Sequence, residues 1–184
     1  MTDLVVAGGT VVTPDGSRRA DLSVSDGVVE RIGTDLPREG VEVIDATGLL
    51  VLPGVVDAHT HVRLSDPEHP DRFERDLRAA GNGGTTTVLT FNNPGTGISE
   101  QGSTSLLRGL VEFRERTSGR AAVDYGLCAV VSAQQPDALD ELPELIRRGV
   151  PTFKAFMVYD FAVAEDDLPR LMRTAARHGG MLML

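Results

Sequence analysis

Tryptophan is absent, aromatic residues make up only 4% of the 184 positions, and cysteine occurs once. With Cys128 alone no internal disulfide can form, so a reducing, cytoplasmic setting is the expectation. No apolar run reaches the length of a membrane span, and Met1-Thr2-Asp3 lacks the basic start of a signal peptide. Positive charge is short as well: 18 Lys and Arg stand against 27 Asp and Glu, a formal net charge of -9. Phosphate would be repelled over most of such a surface, which argues against nucleic acid and anionic membrane as partners. An anionic small substrate held in a local pocket stays compatible. What is present, 41% hydrophobic and 24% charged residues with 20 Gly and 10 Pro, is ordinary globular composition and excludes disordered, collagen-like and coiled-coil classes.

Lysine is the most telling scarcity. Lys154 is the only one among the 18 basic residues. Codon bias in a GC-rich genome explains the excess of arginine, and a lysine that survives it marks a place where arginine cannot serve. A guanidinium is always protonated, whereas an amine can be neutralised by burial and then act as a nucleophile.

Residues 1–53 show short strand patterns joined by turns. Leu4 to Val12 is interrupted by Gly8-Gly9, and the runs around Ala20 to Val24 and Val28 to Ile32 are separated by Asp26-Gly27, a strong hairpin signal. A further strand pair is expected at Val41 to Ile44 and Leu49 to Leu52. This all-β segment is too small to make a stable sheet domain by itself. Over residues 54–184 strands alternate with helices. The strands are expected at Val55 to Val62, Thr85 to Phe91, Ala122 to Val131, Thr152 to Val158 and Met181 to Leu184. The helices are expected at Phe73 to Ala80, Ser103 to Arg116, Ala138 to Arg148 and Asp166 to His178. Repeated βα units imply parallel strands with helices packed outside, either an open doubly wound sheet or a barrel. Gly81-Asn82-Gly83-Gly84 follows a helix and precedes a strand, the wrong order for a phosphate-binding loop.

His59-Thr60-His61 lies near the end of the first of these strands. Side chains at i and i+2 of a strand share a face, so the two imidazoles can approach one metal ion. In a barrel that face is the interior, and active sites are built at the C-terminal ends of the strands. A lone His-x-His triplet is a weak motif; Pro53-Gly54-Val55-Val56-Asp57-Ala58 before it places it at a strand end rather than in a solvent loop. Lys154 sits in the apolar run Thr152 to Tyr159, where a bare ammonium is costly. A salt bridge, a Schiff-base nucleophile and a carbamate formed with carbon dioxide are the three outcomes open to it.

These residues resemble a known family. Pro53 to His61, Gly83-Gly84-Thr85-Thr86-Thr87 and Phe153 to Tyr159 are similar to the cyclic amidohydrolases of the hydantoinase and dihydropyrimidinase type, and Gly8 to Val12 with Val43 to Gly48 resemble that family's N-terminal β segment. The resemblance implies an α/β fold, a (β/α)8 TIM-type barrel, with residues 1–53 contributing to a small β-sandwich and 54–184 supplying the first four and a fraction βα units. It implies hydrolysis of the cyclic amide bond of a hydantoin or dihydropyrimidine by a hydroxide shared between two zinc ions, in a cytoplasmic enzyme that is commonly a homotetramer. By the same resemblance His59 and His61 ligate the more buried metal, carboxylated Lys154 bridges both, and Tyr159 hydrogen-bonds the substrate carbonyl and its oxyanion. From the residues alone Tyr159 also reads as an amphipathic residue at a strand end.

Arg63 and Asn92-Asn93-Pro94 look more like dihydroorotases, in which such residues hold a substrate carboxylate; a solvated arginine and a turn are the alternative. A dihydroorotase- or allantoinase-like enzyme and an inactive structural remnant are therefore kept beside the main expectation. His69 and His178 are expected at the surface. The family's other metal-binding histidines and its catalytic aspartate come from the fifth strand and beyond, so the chain is expected to be an N-terminal portion. About 250 residues make a complete barrel, and the open sheet edge of this portion is expected to need a partner or the missing half.

Overall fold

A computed structural model describes residues 2–91 and 105–184. The chain divides into two compact units, Met1–Gly54 and Val55–Leu184. In the first, β1 (Leu4–Thr13), β2 (Gly16–Ser25) and β3 (Val28–Gly33) form an antiparallel meander, and β4 (Glu42–Asp45) and β5 (Leu50–Val51) complete a five-stranded sheet. Asp26 and Gly27 take φ of 49° and 75° at the β2–β3 turn, the backbone that an Asp-Gly hairpin favours.

The expected pairing of β4 with β5 is not what forms. Both lie parallel to β1, β4 along Leu4 to Ala7 and β5 along Thr10 and Val11. The Gly8-Gly9 break explains this. Gly8 has φ of 73°, and the register of β1 against β2 slips between Val6 and Gly9. A Cβ on Gly8 would stand 2.8 Å from Thr47 Oγ1, and one on Gly9 would stand 2.6 Å from Val51 Cγ2. Two glycines let the Ala46 to Val51 segment pass close against β1 and resume pairing further along the same edge.

Buried Asp21 knots this unit together. Its carboxylate accepts from the Gly8 amide at 2.8 Å, the Leu36 amide at 3.3 Å and the Arg38 guanidinium at 3.0 Å. The Gly8 amide bond, then the Arg38 bond, hold its pKa below the ordinary 3.8.

The second unit is a half-barrel. Its strands are β6 (Val55–Thr60), β7 (Thr85–Thr90), β8 (Asp124–Val131), β9 (Thr152–Ala155) and β10 (Met181–Met183), all parallel and neighbours in chain order. An order that never reverses is that of a barrel; a doubly wound sheet reverses at its switch point. Helices α1 (Arg72–Asn82), α2 (Leu106–Thr117), α3 (Ala138–Arg147) and α4 (Leu168–Arg177) fill the crossovers. Phe73, Leu110, Leu142 and Leu171 from these helices pack on Val88, Leu127, Ala129 and Phe153 of the sheet. On the opposite face Phe91, Cys128 and Val130 form a separate buried cluster with Phe156 and Met183. β8 is buried from Leu127 to Val131, as an inner parallel strand with both faces covered should be. β6 and β10 are the two ends of the sheet, and Val55 and Val56 on β6 remain 54% and 62% exposed.

Several expected boundaries move: β6 ends at Thr60 rather than Val62, and β8 begins at Asp124 rather than Ala122. α4 begins at Leu168 rather than Asp166 because Pro169 fits a first turn and no earlier residue carries the helix. β9 ends at Ala155 rather than Val158, since the chain folds back there and the Val163 amide reaches the Phe156 carbonyl at 2.9 Å.

Because the folded Asp21 carboxylate titrates below its unfolded counterpart, it stabilises the protein above pH 3.8, and this contribution is lost as pH falls through the depressed value. Asp21→Ala is expected to cost about 2 kcal/mol at neutral pH, the scale of hydrogen bonds to a charged group. The loss should shrink in acid; a thermal melt measured across pH that shows the same deficit at every pH contradicts this assignment.

Candidate metal centre

Strand β6 delivers the two histidines from an irregular stretch. Its pairing with β7 slips between Asp57 and Thr60, and regular strand geometry stops at Thr60, one residue before His61. Three hydrogen bonds hold the main chain there. The His59 amide donates to Asp57 Oδ1 at 3.1 Å, the Phe91 amide to the Thr60 carbonyl at 2.9 Å, and the Val62 amide to Thr90 Oγ1 at 2.9 Å. The imidazoles emerge on one side with centroids 5.8 Å apart, as the i, i+2 spacing requires.

Lys154 stands in register with Val130 of β8 and Met183 of β10, on the inner face. Its Nζ lies 4.9 Å from the Phe91 ring centroid and 5.0 Å from that of Phe156. Of the three outcomes open to it in the sequence, the salt bridge is not made: among the described residues Lys154 has no carboxylate partner. Partial desolvation, then the Lys154 charge, then His59, push the pKa of His61 below the usual 6.5. The imidazole is thereby kept neutral, the form that coordinates metal. Burial in the same cluster raises the Cys128 thiol to about 11, which makes it an inert apolar group.

Phe91 is the residue sequence inspection passes over. Its ring lies 4.2 Å from His59 and 5.4 Å from His61, centroid to centroid, besides carrying Lys154. In the sequence it is only the last apolar residue of a strand pattern; its alternation with Val88, which faces the helices, was the available signal.

Tyr159 is not on a strand. It sits in the turn after β9 with φ of 77°, 69% exposed, its ring stacked on Phe161 at 5.3 Å and 6.1 Å from Phe156. An aromatic residue in the left-handed region costs on the order of 1–3 kcal/mol, and such outliers cluster at functional sites. Arg63 is exposed just past the histidines, and no hydrogen bond or ion pair holds it among the described residues. Asn92 and Asn93 lie outside the described residues. His69 is half-buried, its Nδ1 3.2 Å from Asp66 Oδ1 and 2.6 Å from an Arg72 nitrogen, inside the loop following β6. His178 is exposed at the end of α4.

The donor set fits a metal in part. Two imidazoles point one way, and an amine able to become a carboxylate-like carbamate lines the same face. Among the described residues no group of three or more His, Cys, Asp or Glu side chains is placed to hold a metal ion. Also among them, no helix is long and apolar enough to cross a membrane.

No family model matches the chain. Its sequence is 36% identical to a D-hydantoinase of Geobacillus stearothermophilus, over 100% of this chain and 39% of that protein. It is also 36% identical to a D-hydantoinase of Streptomyces coelicolor, over 98% of this chain and 39% of the relative. Among solved structures, a dihydropyrimidinase from Brevibacillus agri superposes with a TM-score of 0.82 at 31% identity, covering 99% of this chain and 39% of the other. An L-hydantoinase (dihydropyrimidinase) from Arthrobacter aurescens gives 0.82 at 31%, covering 99% and 40%. The chain thus spans about 39% of the length of the curated relatives it matches.

Removing the positive charge of Lys154 should let His61 hold its proton more readily. In metal-free Lys154→Gln the His61 pKa, followed by NMR, is expected to rise; an unchanged value shows that the two groups are not electrostatically coupled.

Proposed function

We propose that this chain, related throughout its length to hydantoinases and dihydropyrimidinases, supplies one half of the metal centre of a cyclic amidohydrolase. The convergence of His59, His61 and Lys154 around Phe91 at the C-terminal ends of parallel strands carries this reading. The substrate is a hydantoin or dihydropyrimidine ring, and the amide C–N bond of that ring is opened. The metal is zinc, two ions per site, and the intact protein is a cytoplasmic homotetramer.

When bound, the two ions supply Lewis acidity and lower the pKa of a coordinated water. The chain's own residues do the rest. His59 and His61 would hold one ion through imidazole nitrogens. Lys154, as the free amine, would add carbon dioxide at Nζ and lose one proton, giving a carbamate with one negative charge and two oxygens able to act as a metal ligand. Lys154 stands in register with Val130 and Met183, and its Nζ lies over the Phe91 and Phe156 ring faces, so carbamate formation has to outweigh the attraction of those faces for a cation. Tyr159 would donate a hydrogen bond from its hydroxyl to the oxygen that gains charge as the ring carbonyl turns tetrahedral. Its turn, strained by the positive φ, presents the phenol toward solvent and arriving substrate.

Arg63, Asn92 and Asn93 meet the substituents of the ring. Nothing around Arg63 among the described residues singles out an anionic ring, so a dihydroorotase- or allantoinase-like activity gains no structural support. An inactive remnant has no use for two imidazoles on one face with a lysine amine that, among the described residues, has no carboxylate partner.

The complete gene product should carry zinc and open such rings, lose activity to a chelator and regain it with zinc. Lys154→Ala should lower kcat by more than the roughly 10–100-fold typical of a residue that only supports a ligand, with partial rescue by a short carboxylic acid. A metal-free product that leaves every such ring intact defeats the proposal, and full activity in Lys154→Ala defeats the carbamate.

A further inference from the structure

The geometry points to Thr90 and Phe91, at the end of β7, as the residues that position the metal-binding side chains of β6 and β9. The inference rests on the metal-centre reading and adds to it the means by which the ligands are held.

Imidazole ligands are ordinarily fixed by a hydrogen bond from the ring nitrogen that does not face the metal. Here, among the described residues, neither His59 nor His61 has a ring-nitrogen hydrogen bond; only the main chain of His59 is held. The strand that carries them slips against β7 between Asp57 and Thr60, and regular pairing is regained only at the Thr60–Thr90 pair between the two histidines. Two contacts from β7 hold the main chain there. The Phe91 amide donates to the Thr60 carbonyl and the fully buried Thr90 hydroxyl accepts from the Val62 amide, so the main chain is pinned between the two histidines and again just after the second. The Phe91 ring then lies against both imidazoles and beneath the Lys154 amine. One rigid, buried ring touching three ligands from two different strands restricts their rotamers together and shields the ligands from water on that side.

Each residue type is specific. Valine at position 90 matches threonine in shape but leaves the Val62 amide without its buried acceptor, and leucine at position 91 fills similar space without a flat face. Serine and tyrosine keep the hydroxyl and the ring.

The test is zinc affinity of the complete gene product by chelator competition, together with the visible absorption of the cobalt-substituted protein, which reports ligand geometry independently of turnover. Phe91→Leu and Thr90→Val should each weaken zinc by about tenfold or more, the scale of a supporting-residue loss, and shift the cobalt bands. Phe91→Tyr and Thr90→Ser should stay near wild type in both. His59→Ala serves as the reference for a lost ligand. If Phe91→Leu and Thr90→Val bind zinc and cobalt as wild type does while His59→Ala loses them, the positioning role is wrong and the metal centre stands. If His59→Ala binds as tightly as wild type, the metal-centre reading falls and this inference with it. Phe91→Met replaces Phe91→Leu should the latter fail to fold, and if neither folds the Thr90→Val result decides.

Discussion

Successive side chains on a strand point to opposite faces, and five parallel strands in chain order turn that alternation into two separate layers. One layer is the thick apolar seam between sheet and helices, where Phe73, Leu110, Leu142 and Phe153 meet. The other is the inner face, where the apolar set is small and His59, His61 and Lys154 stand against its Phe91. Leu127, Ala129 and Val131 serve the first layer while Cys128 and Val130, between them, serve the second. A one-residue slip in β9 would exchange Lys154 for Phe153 or Ala155 and empty the site. The outer seam, by fixing strand register, therefore fixes the chemistry.

The same pleat decides what Lys154 experiences. Its backbone neighbours are locked into the seam by Phe153 and Ala155, both fully buried, so the side chain has no route to the outer surface. Among the described residues it meets two ring faces and no carboxylate. Arginine in that place would stay charged whatever the surroundings. Lysine can give up its proton when a stronger use for its nitrogen appears.

Most of the element sequence was legible from the residues, because 3.6-fold and twofold apolar periods are local properties. The helices and parallel strands of residues 54–184, the His-x-His pair on one face and the singular lysine are all read from neighbours a few positions apart. The misses are of two kinds. β4 and β5 read as partners because they are close in sequence, yet each pairs with β1; the choice depends on two glycines more than thirty residues earlier that admit the close passage of Ala46 to Val51 along the edge of β1. β9 reads as running to Val158 because Phe156 to Val158 are apolar, yet those residues form the turn that carries Tyr159, held by an amide from Val163.

By itself, then, the sequence determined the order and type of the elements, the family resemblance and which side chains are chemically able to hold a metal. Only the tertiary structure decided that Phe91 joins His59, His61 and Lys154, that Thr90 anchors the main chain beyond the ladder, and that Tyr159 stands in a strained turn. The reason is physical. Periodicity reports which face a residue occupies, whereas contacts between strands thirty to ninety residues apart follow from register and packing, which no single stretch of sequence contains.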